Sequence, residues 1–486
     1  MSSSNTTTQL RTPLPKLQLL LLLLIQITEP ITAEVIYPFI IGAVRNTGIT
    51  HGDEKKTGYY AGVIESIFFL SECCTVYYWG RLSDVHGRRM ILLLGPLGLT
   101  LAMLGFGLSK AFVTLVIFRA LQGIFNGNIG VSKTVMAEIT DSTNMADAFT
   151  MIPIMWSFGS TVGPALGGVL ASPATQWPQS FGKIAFFHDY PYFLACAAAG
   201  LFAFVAFVLS YIGLKESSPR LKNKKPQNRA SFEESEPLLL DGEARIDYGG
   251  SPPSTGKTDD DHPKPLSAWE LLTPDLQIVL LNYGLLSFTD MSYFVLIPLI
   301  YSSSLSIGGL GLSPYQVGLI LGIFALLNGF WNLLVLTKVL KVLGPRKMYI
   351  ISYSSFLVTF PLLWILRDVA HLAGGVNALV WSLIVCQLLA ASFVNTAYSN
   401  LIDFLDSMSL LIVQNAPPGA LGAVNGLAQM TASGTRGLAP LFASSLFSLS
   451  LESRIVGGHL VDIVLIALSA VGLVCAFRLP KPTSQM

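Results

Sequence analysis

The amino-acid sequence predicts an all-α polytopic membrane protein with twelve transmembrane helices, arranged as two six-helix halves. Of its 486 residues, 52% are hydrophobic and only 12% are charged, whereas an average soluble domain is about 25% charged. A membrane-spanning helix needs about 20 mostly apolar residues, so the hydrophobic content suffices for about twelve spans. The formal net charge of +1 provides no basic surface for nucleic acid. This composition excludes a soluble enzyme, a secreted disulfide scaffold and a nucleic-acid-binding protein.

The predicted helices form two groups of six, separated by a long polar segment. Helix 1 follows a Ser/Thr-rich tail and runs from Leu17 to about Val44. The polar segment is rich in Lys, Arg, Glu, Asp, Ser and Pro, a composition typical of a disordered linker. The predicted domains are a tail at 1–16, an N-terminal bundle at 17–214, the linker at 215–268, a C-terminal bundle at 269–478 and a tail at 479–486.

Each remaining helix is placed on an apolar segment. Helices 2 to 6 are predicted at about 57–79, 90–109, 111–139, 149–172 and 190–214. Helices 7 to 12 are predicted at about 275–301, 314–337, 347–366, 376–402, 419–447 and 457–478. Gly and Pro inside these segments fit membrane helices that pack closely and bend.

Lys and Arg are concentrated on one side of the predicted bundle. That side holds both termini, the linker and the loop between helices 2 and 3. Because cytoplasmic loops carry an excess of basic residues, we expect the N- and C-termini to be cytosolic. Within the linker, Glu234–Leu239 resembles an acidic dileucine sorting signal, and a plain linker is the alternative interpretation. The predicted location is the plasma membrane or a vacuolar or lysosome-like membrane.

The two halves share landmarks at matching places. Gly80–Arg89 lies between helices 2 and 3, Lys341–Lys347 lies between helices 8 and 9, and each combines glycine with a basic pair. Helix 5 carries Gly163-Pro164, and helix 11 carries an Ala-Pro pair at the corresponding position. Two six-helix halves with matching landmarks indicate a transporter built from an internal repeat.

Three motifs, in order along the chain, resemble those of the major facilitator superfamily. Gly80–Arg89 resembles the G-x-x-x-D-x-x-G-R-R loop between helices 2 and 3 of that superfamily. Arg119-x-x-Gln122-Gly123 resembles its R-x-x-Q-G motif in helix 4, and Gly159–Gly168 resembles the helix 5 motif associated with its antiporters. The resemblance implies the major facilitator fold, in which helices 1, 4, 7 and 10 line a central path.

Additional segments resemble one branch of this superfamily. The chain is most similar to the drug:proton antiporter branch, and in particular to zinc-induced-facilitator-like and fungal relatives. The segments that carry this resemblance are Glu29-Pro30, Trp79–Asp84, Gly163–Ala171 and Val424–Gln429.

The segment between helices 2 and 3 is a candidate cytosolic gate that comprises Gly80, Asp84, Gly87, Arg88 and Arg89. We expect Asp84 to interact with the partial positive charge at the N-terminus of helix 11. The two arginines are expected to bind nearby carboxylates or lipid headgroups. Such contacts would hold the two halves together and break when the cytosolic side opens. Ordinary positive-inside charge explains the arginines, but it does not explain Asp84 or Gly87.

The glycines of helix 5 predict a close helix contact. Gly159, Gly163 and Gly167 are spaced four residues apart on one face, and Gly168 follows them. Small residues at this spacing let helices approach closely in lipid, and Pro164 removes a backbone hydrogen bond and bends the helix. In the superfamily this segment lies at the interface of the halves, where close packing prevents leakage. Ordinary helix packing is the alternative.

Charged side chains inside the predicted helices indicate a proton-coupling site. A charge at mid-bilayer costs about 2.5–3.5 kcal/mol on insertion scales, so such residues usually face a partner or a wet cavity. The candidates are Glu29 and Glu34 in helix 1, Asp290 in helix 7 and Arg119 in helix 4. Depth counting predicts that Arg119 pairs with Glu34 or Glu29. A carboxylate whose arginine partner moves binds and releases a proton; a fixed ion pair between helices 1 and 4 is the alternative.

Three more charges lie inside the predicted helices. Glu65 and Glu72 are seven residues apart on one face of helix 2, and a static role explains them equally well. Arg436 in helix 11 has no charged counterpart in helix 5, where Ser160 occupies the matching position. No role for Arg436 follows from the sequence.

Substrate contacts are predicted on the path-lining helices. Asn126, Tyr293, Gln387 and Asn395 are polar or aromatic residues on helices 4, 7 and 10, and interhelical hydrogen bonds are the alternative for each of them. No run of His, Cys and carboxylates offers a metal cage. We therefore expect no metal and no cofactor, with a proton gradient as the driving force.

These observations predict a secondary active transporter that exchanges protons for a small organic molecule by alternating access. Its partners are the substrate, protons and the lipid bilayer, without nucleic acid, and it acts as a monomer. A uniporter or a symporter of the same fold is one alternative, and a non-transporting receptor or scaffold is another. No nucleophile–base pair or metal constellation indicates an enzyme.

Overall fold

A computed structural model describes residues 12–141, 143–218, 272–331, 337–395 and 421–480. Within these ranges the chain is helical and contains no strand. The twelve-helix fold with two halves that the sequence predicts is confirmed. The predicted sorting signal at Glu234–Leu239 lies outside the described residues.

The N-terminal half contains six long helices. They are α1 (Lys16–Glu34), α2 (Thr57–His86), α3 (Arg88–Gly107), α4 (Phe112–Asn126), α5 (Met145–Leu170) and α6 (Phe193–Gly213). Ile40–Asn46 continues α1 and Ile129–Ile139 continues α4. Glu54–Lys56, Pro173–Gln176 and Ala185–Asp189 are short helical turns in the connections.

The C-terminal half repeats this plan. Its helices are α7 (Pro274–Ser302), α8 (Pro314–Trp331), α9 (Thr337–Ser354, continued by Phe356–Ala373), α10 (Ala378–Asn395), α11 (Leu421–Ser453) and α12 (Leu460–Phe477). Leu305–Ile307 and Ile455–Gly458 are short turns in its connections.

Eight helical stretches in the described ranges are long and apolar enough to cross a membrane. Of the remaining long helices, α2, α5 and α11 measure 30, 26 and 33 residues. These three carry much of the contact between the halves, because α2 packs against α11 and α5 packs against α8. Their lower apolarity fits a position between protein surfaces rather than one that faces lipid on all sides.

The two halves touch at the face opposite the termini, which we call the distal face. This face contains the connections at 47–56, 171–192, 303–313 and 454–459. Ser304 Oγ donates a hydrogen bond to Glu54 Oε2 across the two halves, at 2.5 Å. Nearby, a Cβ atom on Gly58 would lie 2.7 Å from the carbonyl oxygen of Ser444, so α2 and α11 meet at backbone distance. The structure is therefore closed at the distal face.

Helix 1 is broken, although the sequence predicts it as one continuous span. α1 ends at Glu34, turns follow, and helical structure resumes at Ile40. Pro30 lacks the N–H that would bond one turn back, and Pro38 disfavours helical geometry at the residue before it. The break exposes backbone carbonyls in the interior of the half.

Both predicted loops between paired helices are more helical than expected. α2 extends to His86 and α3 begins at Arg88, so Gly87 alone separates them. The segment Lys341–Lys347 lies inside the first part of α9. Lys, Arg and Leu are good helix formers, and a basic segment at a membrane surface does not need a loop to stay hydrated.

The ends of the N-terminal half are anchored to its surface. The Thr12 hydroxyl bonds to the Asp141 carboxylate in the α4–α5 connection. Bonds from Thr12 and Thr143 lower the pKa of the Asp141 carboxyl below its ordinary value. At the other end, Ser217 and Ser218 are 4% and 3% exposed. The first residues of the predicted linker are therefore packed rather than disordered.

Candidate functional site

A buried ion pair joins α4 to α2. Arg119 Nη2 lies 3.0 Å from Glu65 Oε2, and the two side chains are 0% and 2% exposed. Arg119 Nη1 donates to Gln122 Oε1 at 2.8 Å. The guanidinium also lies over the Phe68 ring, 4.4 Å from its centre. A charge so deeply buried needs close partners of this kind to remain stable.

The prediction that Arg119 pairs with Glu34 or Glu29 is wrong, because α4 packs against α2 here. A Cβ atom at Gly123 would lie 2.1 Å from the carbonyl oxygen of Phe68. Only glycine permits this approach, and it brings Arg119, one turn away on α4, to Glu65. The spacing of Arg119, Gln122 and Gly123 in the helix 4 motif thus has a direct geometric explanation.

Arg119 also binds the broken end of α1. A helix C-terminus carries carbonyls without intrahelical partners and a partial negative charge. Arg119 Nη2 donates to the carbonyl oxygen of Ala33 at 3.1 Å. Tyr37, in the turns after the break, lies beside Glu65. One arginine therefore connects α1, α2 and α4.

Glu34 has its own partner on α5. Ser160 Oγ donates to Glu34 Oε1 at 2.7 Å. A Cβ atom on Gly163 would lie 3.4 Å from the Cβ atom of Glu34. This carboxylate is therefore held by the glycine-rich face of α5 and not by α4.

The glycine face of α5 packs against α1 in the same half. Cβ atoms on Gly159 and Gly167 would lie 2.3 Å from Pro30 Cγ and 1.9 Å from the carbonyl oxygen of Val35, respectively. A Cβ atom on Gly163 would lie 3.1 Å from the carbonyl oxygen of Ile31. The expectation that this face lies between the halves is wrong for these three glycines.

Gly168 and Pro164 do lie between the halves. A Cβ atom on Gly168 would lie 2.8 Å from the Cα atom of Gly318 in α8. A Cβ atom on Gly318 would in turn lie 2.4 Å from the carbonyl oxygen of Pro164. The α5 motif thus has two contact surfaces, one against α1 and one against α8.

Replacing Gly163 with leucine is expected to displace α1 together with Glu34. The side chain would meet backbone at Ile31, and overpacking of this kind costs about 1–3 kcal/mol. We expect a lower thermal unfolding temperature and little transport. The control is Gly434→Leu, because a Cβ atom at Gly434 meets nothing within 4 Å. Wild-type transport by Gly163→Leu would exclude a functional need for this close contact.

Two glutamates on neighbouring helices lie beside one asparagine. Glu29 of α1 and Glu72 of α2 are close enough to repel each other, and the Asn126 side chain of α4 adjoins both carboxylates. Glu29 and Asn126 are 8% and 2% exposed. Glu29 Oε2 and Asn126 Nδ2 are buried and make no hydrogen bond of standard geometry within the described residues. Buried polar atoms without a satisfied hydrogen bond require an explanation, and a bound proton, water or substrate group would provide one here.

Charges from both halves surround this pair of glutamates. Lys133 and Arg436 attract Glu29 and Glu72, and Arg436 also attracts Asp290. Arg436 lies on α11 and Asp290 on α7, so the cluster includes residues of the C-terminal half. The sequence showed a charge at Arg436 but not its partners, because those partners depend on the packing of α11 against α2.

The predicted cavity residues of the C-terminal half bond to one another. Gln387 Nε2 donates to the Tyr293 hydroxyl, and the Tyr301 hydroxyl donates to Gln387 Oε1 at 2.7 Å. All three side chains are buried, and their bonds connect α7 with α10. Asn395 ends α10, and its side chain lies outside the described part of the structure.

The candidate gate is a compact turn between α2 and α3. Arg88 Nη1 lies 2.6 Å from Asp84 Oδ1, and Arg88 Nε lies 3.2 Å from Glu138 Oε1. The Asp84 side chain is 55% exposed. The predicted contact between Asp84 and the N-terminus of helix 11 stays a prediction, because the residues just before Leu421 lie outside the described ranges.

A carboxylate from beyond α6 binds the start of α3. The backbone N–H groups of Arg88 and Arg89 donate to Glu216 Oε1 and Oε2, at 2.8 and 3.1 Å. These N–H groups have no intrahelical partner, and a carboxylate there also complements the helix dipole. Ser217 Oγ donates to Glu138 Oε2 at 2.6 Å. The gate turn, α4 and the start of the linker are therefore connected.

Glycine 87 is required by the backbone of this turn, whereas Gly80 is not. Gly87 has φ +99° and ψ 152°, a region that is essentially restricted to glycine and costs other residues about 1–3 kcal/mol. We expect Gly87→Ala to lower the thermal unfolding temperature and to slow transport. Gly80→Ala is the matched control, because a Cβ atom there meets nothing within 4 Å. Equal effects of both substitutions would contradict this interpretation.

No group of three or more His, Cys, Asp or Glu side chains within the described residues is arranged to hold a metal ion.

A family model of the Major Facilitator Superfamily matches residues 22–440, which is most of the chain. The chain belongs to the major facilitator superfamily. This superfamily member is thus a multi-pass integral membrane protein of a transporter family whose members carry small molecules across the lipid bilayer.

Relatives of this superfamily member include plant and fungal transporters, as the motifs predicted. The major facilitator-type transporter psiT2 of Psilocybe cyanescens is 29% identical over 98% of this chain and 92% of its own length. The multidrug transporter mfsB of Aspergillus fumigatus is 28% identical over 95% of this chain and 82% of its own. Zinc Induced Facilitator 1 of Arabidopsis thaliana is 29% identical over 98% of this chain and 94% of its own.

Solved structures of the superfamily share the fold. The D-xylose-proton symporter matches with a TM-score of 0.66 and 15% identity, over 96% of this chain and 98% of its own. The human organic anion transporter MFSD10 matches with a TM-score of 0.59 and 17% identity, over 96% of this chain and 100% of its own.

Proposed function

We propose that this protein is an antiporter that exchanges protons for a small organic molecule by alternating access. The observation that carries the proposal is the Glu29–Glu72–Asn126 group, in which two neighbouring carboxylates share one amide and a buried Glu29 oxygen makes no hydrogen bond of standard geometry among the described residues. Two neighbouring carboxylates repel each other, and one bound proton relieves that repulsion. Glu29 is therefore the first candidate for the proton-carrying residue.

The remaining coupling candidates have distinct roles in this proposal. Arg119 acts as a modulator, because it holds the broken end of α1 that follows Glu29. Asp290 and Arg436 bring charges of the C-terminal half to the same region, so its charge balance changes when the halves move. Glu34 is the second candidate in α1 and differs from Glu29 in having Ser160 as a partner.

The substrate is proposed to bind between the halves, near Asn126. This amide makes no hydrogen bond of standard geometry through Nδ2 within the described residues, and it adjoins the proposed proton site. Tyr293, Gln387 and Asn395 complete the proposed cavity from the opposite half. The names of the relatives, among them a multidrug transporter and the efflux pump azaK of Aspergillus niger, support a small organic substrate.

The orientation, oligomeric state and membrane location of the protein are also proposed. The excess of Lys and Arg on the side of the termini supports cytosolic termini, so the described conformation is closed to the outside. We propose a monomer with bundles at 17–214 and 269–478, in the plasma membrane or a vacuolar or lysosome-like membrane. The candidate gate would hold the cytosolic side shut in the alternate state.

Reconstitution into liposomes tests the function. A panel of small organic compounds is offered to proteoliposomes with and without a pH gradient, and internal pH is followed with a fluorescent dye. Antiport predicts substrate movement against the direction of proton movement, and a protonophore abolishes the driven part. Movement independent of the gradient would indicate a uniporter, movement with the proton a symporter, and no movement of any compound a scaffold.

A further inference from the structure

A second group of buried charges lies in the C-terminal half at the distal face. Arg367 near the end of α9 and Asp462 in the first turn of α12 form an ion pair, with Arg367 Nη1 2.8 Å from Asp462 Oδ2. Their side chains are 3% and 1% exposed. His459, just before α12, and Asp368, next to Arg367, complete the group.

His459 contacts a carboxylate with each of its ring nitrogens. Nδ1 lies 3.1 Å from Asp462 Oδ2, and Nε2 lies 3.0 Å from Asp368 Oδ1. The ring stacks on Trp364 at 4.6 Å between centres, and Trp364 Nε1 donates to Asp368 Oδ2 at 2.9 Å. A neutral imidazole carries one N–H, and only the protonated ring donates from both nitrogens. A protonated His459 can therefore interact favourably with both carboxylates at once, and a neutral ring with only one of them.

Arg367 links this group of charges to two of the interhelix segments at the distal face. Its Nε donates to the carbonyl oxygen of Gly308, in the α7–α8 connection, at 2.9 Å. Its Nη2 donates to the carbonyl oxygen of Gly458, in the α11–α12 connection, at 3.2 Å. The state of Asp462 therefore affects the position of both connections through Arg367.

The α11–α12 connection has a strained backbone. Arg454 and Val456 have φ of +50°, and Gly457 and Gly458 have φ of +69° and +95°. A β-branched residue with positive φ is a genuine outlier, and such strain persists only where surrounding contacts hold it. Contacts from Arg367 and Ser450 to Gly458 O provide that restraint. Their loss would let the connection relax.

The α7–α8 connection links this group to the contact between the halves. Gly308, held by Arg367, lies four residues after Ser304. Ser304 donates to Glu54 in the opposite half, and Glu54 forms an ion pair with Arg45. A continuous set of contacts thus runs from His459 to the closed distal face.

We propose that Trp364, Arg367, Asp368, His459 and Asp462 form a pH-sensitive latch that stabilises closure of the distal face when His459 is protonated. Histidine changes its charge between about pH 5 and 8. At acidic pH on the distal side the imidazolium is held between the two carboxylates, and at alkaline pH the neutral ring loses that attraction. The latch therefore favours the distally closed state in acid. It concerns closure of the distal face and does not depend on which residue carries the transported proton.

The elements around His459 contribute the following charged groups. α9 contributes Arg367 and Asp368, and α12 contributes Asp462. Glu452, near the end of α11, is directed to the Tyr59 hydroxyl at 3.4 Å. The remaining charge of the α11–α12 connection belongs to Arg454, and 303–313 of the α7–α8 connection contains no charged residue.

Distance measurements between spin labels at Lys56 and Leu372 test the latch. Both side chains are exposed, one in each half, and the five native cysteines are first replaced by alanine. In the full chain in nanodiscs without substrate, the long-distance population is expected to grow as the pH rises from about 5 to 8. His459→Gln should lose this change, whereas the control His371→Gln, exposed on α9, should keep it.

A second variant and a second background make the outcome decisive. Asp368→Asn removes the half-exposed carboxylate, retains an acceptor for Trp364, and should weaken the pH response without unfolding the protein. Repeating the series in Glu29→Gln separates the latch from the proposed proton site. The proposal is overturned if His459→Gln has the pH profile of its parent in both backgrounds, or if the parent shows no pH response.

Discussion

Glu29→Gln is expected to abolish substrate movement driven by a pH gradient and to leave substrate exchange without a gradient intact. Glutamine preserves the size of the side chain and resembles the protonated carboxyl group, but it cannot bind and release the proton. Because Glu29 Oε2 makes no hydrogen bond of standard geometry within the described ranges, the substitution should be tolerated structurally. Two measurements in proteoliposomes test this prediction: substrate uptake driven by a pH gradient, and substrate exchange without one.

Glu34→Gln is the matched comparison for this prediction. It lies on the same helix and is similarly buried, at 6% against 8% exposure, but it already has a hydrogen bond from Ser160. We expect this variant to retain coupling at a reduced rate. If both variants kept full coupling, α1 would have no part in moving the proton.

Arg119→Ala is expected to cause the largest loss of stability of any single substitution considered. It leaves Glu65 buried without its charged partner, which costs about 3–5 kcal/mol. Total unfolding free energies are typically about 5–15 kcal/mol, so much of the protein should fail to accumulate in the membrane. Thermal unfolding of the purified protein and its yield from membranes measure the effect.

A double substitution distinguishes a broken pair from a missing arginine. Glu65→Gln with Arg119→Gln removes both charges, so we expect it to be less destabilised than Arg119→Ala alone. The exposed pair Lys110–Asp189, with its side chains 56% and 63% exposed, provides the control, since removing such a pair costs less than about 1 kcal/mol. If Lys110→Ala lowered the free energy of unfolding as much as Arg119→Ala does, burial would not be the reason that the Arg119–Glu65 pair matters.

The sequence was sufficient to locate the helices because each depends on a local apolar segment. The break after Glu34 was not predicted, although Pro30 and Pro38 are visible, since proline in a membrane helix produces a bend as readily as a break. The one-residue turn at Gly87 was also missed, because the basic residues around it have high helix propensity and continue α2.

The ion pairs were harder to predict than the helices. Depth counting placed Arg119 level with Glu34 but gave no information on which helix lies beside α4, and that depends on Gly123. The pair Arg367–Asp462 was missed entirely, because both residues lie near the ends of apolar segments, where charges are ordinary. In each case the partner is set by the packing of helices that are distant in sequence.

The binding of Glu216 to the start of α3 has a mechanical consequence. The chain leaves the N-terminal half from a point that is attached to the gate turn, rather than from a loose helix end. A pull on the following polar segment is therefore applied to the contacts of Ser217 with Glu138 and of Glu216 with the backbone N–H groups of Arg88 and Arg89. Tension on that segment, from whatever source, is transmitted to the gate turn between α2 and α3 and to the continuation of α4.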